Sequence, residues 1–213
     1  MHLHLALASP CSVLSLEALF EAAERRGLDG VCISDHESYG GYEAALRMAK
    51  DLEIRVFMGV EIRSAEGDVL VYSQEKLDMA EIRKREIEYG GGSRPSAQRV
   101  IDFANERGDL AVVAHPYRTT APSLSDSLYQ VYNLWGVEVY NGNCSKGENE
   151  MALSSARELG LRCTAGSDAH WVGAVGAYYT EFEASFDTQE EFIAALRSGN
   201  FEPRGSGVAL EGY

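Results

Sequence analysis

The sequence predicts an α/β fold in which parallel strands and helices form one closed or nearly closed barrel. Short β-branched runs alternate with amphipathic stretches along most of the 213 residues. This alternation is typical of parallel strands that are joined by right-handed helical crossovers. Strands occur over the whole length and no linker separates two halves, so we expect a single domain spanning residues 1–213.

Each element follows from its local pattern. In the first helical stretch Leu16, Leu19 and Phe20 fall on one face, and Gly27 is placed to end the helix. The same periodicity predicts helices at 14–27, 42–54, 96–108, 148–160 and 188–199. Strands are predicted at the opening residues, within 28–38, twice within 55–73 around a Glu-Gly turn, and within 109–118, 135–143 and 161–170.

The stretch at about 83–95 interrupts this alternation. Three consecutive basic residues begin at Arg83, and three consecutive glycines begin at Gly90. One interpretation is a mobile lid that brings cations to a substrate, as closing loops do. The other is a helix whose basic and acidic residues form a solvated face.

The charge balance restricts the partners. The chain has 19 Lys and Arg residues against 33 Asp and Glu residues, a net charge of -14. Phosphate backbones are held by clustered Lys and Arg, so we do not expect a polymeric nucleic acid as a partner. No apolar run approaches the roughly 18 residues of a membrane span, and no signal peptide is recognisable. We therefore expect no membrane partner and a cytoplasmic location.

All five histidines lie at or near the carboxyl end of a predicted strand. They are His2, His4, His36, His115 and His170. Glu61 occupies the same kind of position, and Asp168 lies two residues before His170. Side chains at i and i+2 of a strand point to one face, and the carboxyl strand ends of a parallel barrel meet at one rim. We therefore expect these side chains to lie together.

A cluster of imidazoles and carboxylates at one rim requires a cation. Any single buried histidine is adequately explained by a hydrogen bond, but that explanation is poor for five at strand ends. Neutral imidazole nitrogens and carboxylate oxygens are ligands of zinc, manganese and iron. The pattern therefore predicts a strand-borne site for more than one metal, unlike the helical HExxH motif.

Five short strings carry a family resemblance. They are His2-Leu3-His4, Asp35-His36, Gly59-Val60-Glu61, His115-Pro116 and Asp168-Ala169-His170. In this order they resemble the signatures of the polymerase and histidinol phosphatase (PHP) superfamily of metal-dependent phosphoesterases, and they span most of the chain. The resemblance implies a distorted (β/α)7 barrel that holds two or three divalent metal ions, which we expect to be zinc, manganese or iron.

The resemblance also implies a role for each matched residue. A first metal would be held by His2, His4, Glu61 and Asp168. Glu61 would bridge to a second metal that also takes His115. His36 and His170 would serve a third metal, and both are expected to take part in catalysis together with Asp168.

Two positions depart from the family pattern. A histidine that is usual on the strand after Gly-x-Glu is absent, and Asp68 stands in register with it. Asp68 is either a metal ligand or a solvated turn residue. A further ligand is usual after the first motif, where Cys11 is the nearest candidate here. Cys11 is either a metal-binding thiolate or a structural thiol, so the third metal site stays open.

Three residues are candidates for substrate binding. Arg118 follows His115 by three residues, and it is either a phosphate-binding and catalytic group at the rim or an exposed surface arginine. Asn141 and Asn143 lie just past a strand end, where they can touch the substrate or orient a metal ligand.

These observations predict a phosphoesterase. We expect hydrolysis of a small phosphorylated metabolite or nucleotide, with release of phosphate, by water that the metals activate. No G-x-S-x-G elbow or Walker loop indicates another chemistry. Two alternatives remain: a metal-dependent amidohydrolase, and a non-catalytic metal-binding regulatory module.

Overall fold

The computed structural model describes residues 1–88 and 92–205 and, for residues 86–88, the backbone alone. Its α-helices are α1 (Leu16–Arg25), α2 (Gly40–Met48), α3 (Met79–Glu88), α4 (Ala97–Arg107), α5 (Lys146–Glu158) and α6 (Gln189–Ser198). Its strands are β1 (Gly30–Ile33), β2 (Arg55–Met58), β3 (Val60–Arg63), β4 (Asp68–Tyr72), β5 (Leu110–Val113), β6 (Gly136–Asn141), β7 (Arg162–Gly166), β8 (Tyr178–Phe182) and β9 (Phe201–Gly205).

Helices α1, α4, α5 and α6 begin at hydroxyl caps. Ser145 accepts a hydrogen bond from Glu148 N, and the Glu148 side chain returns a bond to the Ser145 N–H, which closes a capping box on α5. Helix α4 begins after the side chain of Ser96 and ends at Gly108, whose φ of 74° is in the left-handed region. These local signals place the helices close to their predicted positions.

The strands form three sheets that do not close into a barrel. Strands β1 and β2 pair in parallel, and the five-stranded sheet has the order β3-β4-β5-β6-β7. Strands β8 and β9, which are connected through α6, form an antiparallel pair. Within the larger sheet β5, β6 and β7 are parallel, whereas β4 is antiparallel to both of its neighbours. The expected closed, parallel (β/α)7 barrel is therefore corrected to a mixed α/β fold.

The antiparallel part of the sheet has a local cause. Strands β3 and β4 are joined by a four-residue turn in which Ser64 N donates to Gly67 O at 3.0 Å and Gly67 N donates to Ser64 Oγ at 3.1 Å. A connection this short can only produce a hairpin, because a parallel pair needs a crossover of a dozen or more residues.

Two features join the sheets near the functional side chains. Gly59 alone separates β2 from β3, so that β2 pairs with β1 while β3 pairs with β4. Residues 2–5 form no regular strand but lie between the ends of β1 and β7: Ser34 N donates to Leu3 O at 3.1 Å and His4 N donates to Ala169 O at 3.0 Å.

The main apolar core decides which side chains face the functional site. Val137 and Val139 of β6 pack in the same buried cluster as residues of α4 and α5, and Val60 and Ile62 of β3 belong to this cluster as well. Because successive side chains of a strand point to opposite faces, the residues between them point away from the helices. The acidic residues Glu138 and Glu61 therefore face the other side of the sheet.

The stretch at about 83–95 is only partly described. Its first part is the end of α3, where Arg83 pairs with Glu37 and Arg85 pairs with Glu81 and Glu106. Gly90 and Gly91 of the expected hinge lie outside the described residues. The interpretation of this stretch as a mobile lid stays a prediction.

No helix within residues 1–88 and 92–205 combines the length and the hydropathy that a bilayer span requires. The antiparallel pair of β8 and β9 has no counterpart among the predicted elements. It packs beside β7 and completes the described part of the fold.

Candidate metal centre

The predicted ligands converge on the inner face of the sheets. His36 follows β1, Glu61 lies in β3, His115 follows β5, and Asp168 and His170 follow β7. His2 and His4 join them from the segment between β1 and β7. The structure thus brings together side chains from residue 2 to residue 170.

The centre of the cluster is formed by two histidines and two carboxylates. His2 Nε2 lies 3.3 Å from Glu61 Oε1 and 3.5 Å from Asp168 Oδ1. His4 Nε2 lies 3.1 Å from Glu61 Oε2 and 3.3 Å from Asp168 Oδ1. The two Nε2 atoms are 3.1 Å apart, so four donor groups point to one small volume.

Glu61 connects this centre to a second group. His115 Nε2 lies 3.2 Å from Glu61 Oε1 and 3.9 Å from Asp68 Oδ2. Asp68 is therefore at the cluster and not in a solvated turn, and the described donor atoms of Glu61, Asp68 and His115 all lie within 4.8 Å of one another. Asp68 therefore lies where it would have to lie to replace, as a metal ligand, the histidine that is usual on this strand in the family.

A third group lies on the other side of His4. His4, His36 and His170 can each offer a ring nitrogen within 4.8 Å of the other two. His36 Nδ1 also lies 3.0 Å from Glu61 Oε2, but this buried nitrogen has no hydrogen-bond partner among the described residues. Cys11 is exposed and belongs to none of the ligand groups that the described residues form.

Hydrogen bonds to the outer ring nitrogens fix which nitrogen of each ring faces the cluster. His170 Nδ1 lies 2.9 Å from Asp168 O, and because a carbonyl only accepts, Nδ1 carries the proton. His2 Nδ1 donates to Glu138 Oε1 at 3.0 Å. Nε2 is thus the nitrogen that each of these two rings has left for a cation.

The buried carboxylates of the centre act on the charge of the two central histidines. Burial opposes a positive charge on the rings of His2 and His4. The carboxylates of Glu138, Asp168 and Glu61 nevertheless raise the pKa of His2 well above its usual value. Hydrogen bonds to Asp168 and Glu61 raise the pKa of His4 to about 9 against the effect of burial. The carboxylates thus attract positive charge into the centre.

In the outer groups the effect of burial on the pKa values prevails over that of the neighbouring charges. Burial lowers the pKa of His36 to about 3, and it lowers the pKa of His170 below its usual value. Burial and the charge of Glu61 raise the pKa of Asp68 to about 6. His36 and His170 are therefore neutral at neutral pH, as nitrogen ligands must be.

The residues present fit divalent cations. Glu61, Glu138 and Asp168 are each 1% exposed, and buried carboxylates are costly unless positive charge lies beside them. The donors are imidazole nitrogens and carboxylate oxygens, the set that suits zinc, manganese and iron. The group of His2, His4 and Asp168, that of Glu61, Asp68 and His115, and that of His4, His36 and His170 would hold them.

The predicted substrate residues are engaged with Asp168. Arg118 Nη1 donates to Asp168 Oδ2 at 2.9 Å, so Arg118 lies at the rim and is not a free surface arginine. Asn141 Nδ2 lies 3.2 Å from Asp168 Oδ2, and Asn143 Nδ2 donates to Asp168 O at 2.7 Å. Asn141 is fully buried, and its Nδ2 also donates to Glu138 Oε2 at 2.8 Å.

Sequence reasoning missed several residues around the ligands. Ser9 Oγ donates to Asp35 Oδ1 at 2.7 Å and lies 3.4 Å from His4 Nδ1, so this pair supports the outer side of the His4 ring. Glu138 supports His2 in the same way. Asp35 was noted only as part of the Asp35-His36 string, and Glu138 was not noted at all. The available signal for both was a charged residue within a buried segment.

Arg63 is a further cation at the rim. It lies two residues after Glu61 in β3 and opposite Asp68 in β4, so its side chain is on the face of the cluster. Its charge acts on Asp68, His36 and Cys11, and it forms no ion pair or hydrogen bond with the part of the chain that the structure describes.

Family comparison agrees with the geometry. A model of the PHP domain matches residues 1–107, and a model described as PHP-associated matches residues 146–201. The first match covers half of the chain, so this protein belongs to the PHP domain family, whose members are phosphoesterases or nucleases.

Similar proteins extend this comparison. The chain is 27% identical over 150 residues to the uncharacterised protein MJ1587 of Methanocaldococcus jannaschii, with 70% of this chain and 79% of the relative covered. A proposed metal-dependent phosphoesterase from Bifidobacterium adolescentis superposes with a TM-score of 0.62 at 17% identity, over 92% of this chain and 94% of that one. Endonuclease Q superposes with a TM-score of 0.66 at 20% identity, over 93% of this chain and 55% of its own.

The expectation about partners is corrected by endonuclease Q. That protein was solved with a 27-mer duplex substrate that has an abasic lesion at the active site. Our expectation of a small phosphorylated substrate, with polymeric nucleic acid set aside, is therefore wrong. The physical reason is that the net charge of a whole chain does not determine the local field at a cleft, and here Arg63 and Arg118 lie at the cluster.

Proposed function

We propose that this protein is a metal-dependent phosphoesterase that hydrolyses phosphate esters at the His and carboxylate cluster. The single observation that carries the proposal is the convergence of His2, His4, Glu61 and Asp168 on one buried volume, with ligand groups on either side. A divalent cation held there supplies Lewis-acid stabilisation of phosphoryl oxygens and activates water.

The protein's own residues bind and orient the phosphate. Arg118 uses one N–H on Asp168 and one on Thr120, and a guanidinium has five donors, so donors remain for a phosphoryl oxygen. Arg63 approaches from the β3 side of the cluster. We assign to the two arginines the neutralisation of phosphoryl charge as the leaving oxygen departs.

His36 and His170 provide neutral rings at the third group. Their lowered pKa values keep both rings uncharged at neutral pH, so each ring keeps one nitrogen with a lone pair for a cation. His170 is held by its bond to the Asp168 carbonyl, which orients Nε2. In this proposal Asp168, His36, His170 and Arg118 are the residues whose loss stops hydrolysis.

The test is a substrate panel that contains both monoesters and diesters. Nucleoside monophosphates, bis-p-nitrophenyl phosphate and duplex DNA with and without an abasic lesion are incubated with Mn²⁺, Zn²⁺ or a chelator. Product analysis accompanies phosphate release, because diester cleavage frees no inorganic phosphate. The substrates that turn over will separate phosphatase from nuclease activity.

Asp168→Asn is the variant that links turnover to the cluster. We expect it to lower the rate by more than about 100-fold, since the loss of a direct ligand exceeds the effect of an outer residue. Asp126→Asn, at an exposed position, is the matched control and keeps the wild-type rate. Equal rates with metal and with chelator would contradict the proposal.

Two other outcomes distinguish the alternatives. Metal binding by a folded protein without turnover of any phosphate ester would indicate a non-catalytic module. Turnover of amides or lactones, with all phosphate esters intact, would indicate an amidohydrolase.

A further inference from the structure

Glu138 is a charged residue in the middle of a buried strand. It lies between Val137 and Val139 in β6, is 1% exposed, and has no Lys or Arg within ion-pair distance among the described residues. An isolated buried carboxylate costs several kcal/mol, so its hydrogen bonds must compensate for the lost solvation. Those bonds lead to candidate metal ligands.

Its two oxygens reach different ligand groups. Oε1 accepts a hydrogen bond from His2 Nδ1 at 3.0 Å, and Oε2 accepts one from the backbone N–H of His115 at 3.2 Å. Oε2 also accepts a bond from Asn141 Nδ2 at 2.8 Å, and the same Nδ2 is 3.2 Å from Asp168 Oδ2. One carboxylate therefore connects His2, His115 and, through Asn141, Asp168.

Two of these ligands have an unfavourable backbone conformation. His115 has a φ of 30° and Asp168 a φ of 47°, in the left-handed region that non-glycine residues rarely occupy. Such conformations persist only where surrounding bonds hold them. The bond from His115 N to Glu138 holds the first. The second is held by the bonds that Asp168 N donates to His2 O and Asn143 Nδ2 donates to Asp168 O, and His2 is itself bonded to Glu138.

We propose that Glu138 is a positioning residue that sets the affinity of both the His2 group and the His115 group for divalent metal. It directs Nε2 of His2 toward the centre and fixes the backbone from which His115 projects. The inference rests on the metal site of the proposed function, but it concerns binding and not turnover.

The experiment is a titration of the metal-free full chain with Co²⁺, followed by visible absorption and by the bound-metal content after gel filtration. Glu138→Gln keeps the shape of the side chain but replaces one carboxylate oxygen with an NH2 group. In the wild type both oxygens accept hydrogen bonds, so in the variant the NH2 group faces another donor. We expect both groups to bind about 10–100-fold more weakly, the usual effect of removing an outer carboxylate from a ligating histidine. The exposed Glu150→Gln is the matched control and binds like wild type.

Glu138→Asp keeps the charge and tests the geometry. It shortens the side chain by one methylene group, so we expect Co²⁺ to bind more weakly than in wild type and more tightly than in Glu138→Gln. If Glu138→Gln does not fold, as judged by circular dichroism, Glu138→Asp alone decides. Wild-type Co²⁺ affinity in the folded variant, or weakening of one group only, overturns the inference.

The result is separable from that of the proposed function. A wild-type protein that binds Co²⁺ but hydrolyses no ester leaves the inference intact and refutes the function. A wild-type protein that hydrolyses esters, while Glu138→Gln binds metal unchanged, leaves the function intact and refutes the inference.

Discussion

Gly166→Ala tests the packing of the metal centre without removing any functional group. Gly166 ends β7, and a Cβ there would lie 2.4 Å from His2 Cβ and 2.5 Å from Glu138 Oε1. Non-bonded carbons approach to about 3.5–4.0 Å, so His2 would have to move by roughly 1.1–1.6 Å. His2 is fully buried, and its carbonyl accepts a 2.7 Å bond from Asp168 N, so it cannot move freely.

The expected cost is that of an overpacked core, about 1–3 kcal/mol. For a chain of this size each kcal/mol lowers Tm by about 2–4 °C, so we expect Tm to fall by about 2–12 °C. Because His2 and Glu138 are the residues displaced, Co²⁺ affinity should fall in parallel. Thermal unfolding by circular dichroism and a Co²⁺ titration measure the two effects.

Gly147→Ala is the matched control. Gly147 lies in the first turn of α5, and a Cβ there meets no atom within 4 Å. Alanine is the better helix former, so this variant should gain up to about 1 kcal/mol and keep its metal affinity. Wild-type Tm and wild-type Co²⁺ affinity in Gly166→Ala would refute the reasoning, because they would show that His2 shifts at no cost.

Two further predictions follow from the charges. Arg63→Ala should raise KM for a phosphate ester about tenfold or more, since a hydrogen bond to a charged group contributes about 1.5–3 kcal/mol. The control variant Arg47→Ala, on α2, should not change KM. An unchanged KM in Arg63→Ala would exclude Arg63 from substrate binding. Metal addition at neutral pH should release protons, because the His4 ring is protonated below its raised pKa of about 9 and a metal at Nε2 must displace that proton. An indicator-dye titration measures the release, which should decrease above this pKa; equal release on both sides would contradict the assignment.

The helices were predictable because their signals are local. The helix predicted at 96–108 is observed at Ala97–Arg107, between a capping serine and a left-handed glycine. Strand pairing was not predictable in this way, since direction and register depend on contacts distant in sequence. The periodicity of residues 55–63 indicates one strand, but Gly59 divides it between two sheets.

Strand β9 shows a different limit of the sequence. Its five residues contain Pro203 and Gly205, and both residue types argue against a strand when they are considered alone. The partner strand β8 supplies the pairing that overrides these preferences. Only the fold brings the two segments together.

The candidate metal ligands could be picked out in the sequence because histidine is rare and stands out at strand ends. Glu138 was not recognised, since a single acidic residue between two valines has no partner in its own segment. Its partners, His2 and the His115 backbone, come from residues 136 and 23 positions away. The sequence therefore indicated the inner candidate ligands but not the groups that contact their outer sides.

The placement of residues 2–5 between the ends of β1 and β7 has a consequence for the time at which the site is completed. His2 and His4 join Asp168 only when segments more than 160 residues apart have met, and closing so long a loop is among the slower events of folding. During synthesis residues 2–168 must therefore all emerge from the ribosome before the residues that would hold the first metal can come together. The candidate metal centre would thus be completed late in folding.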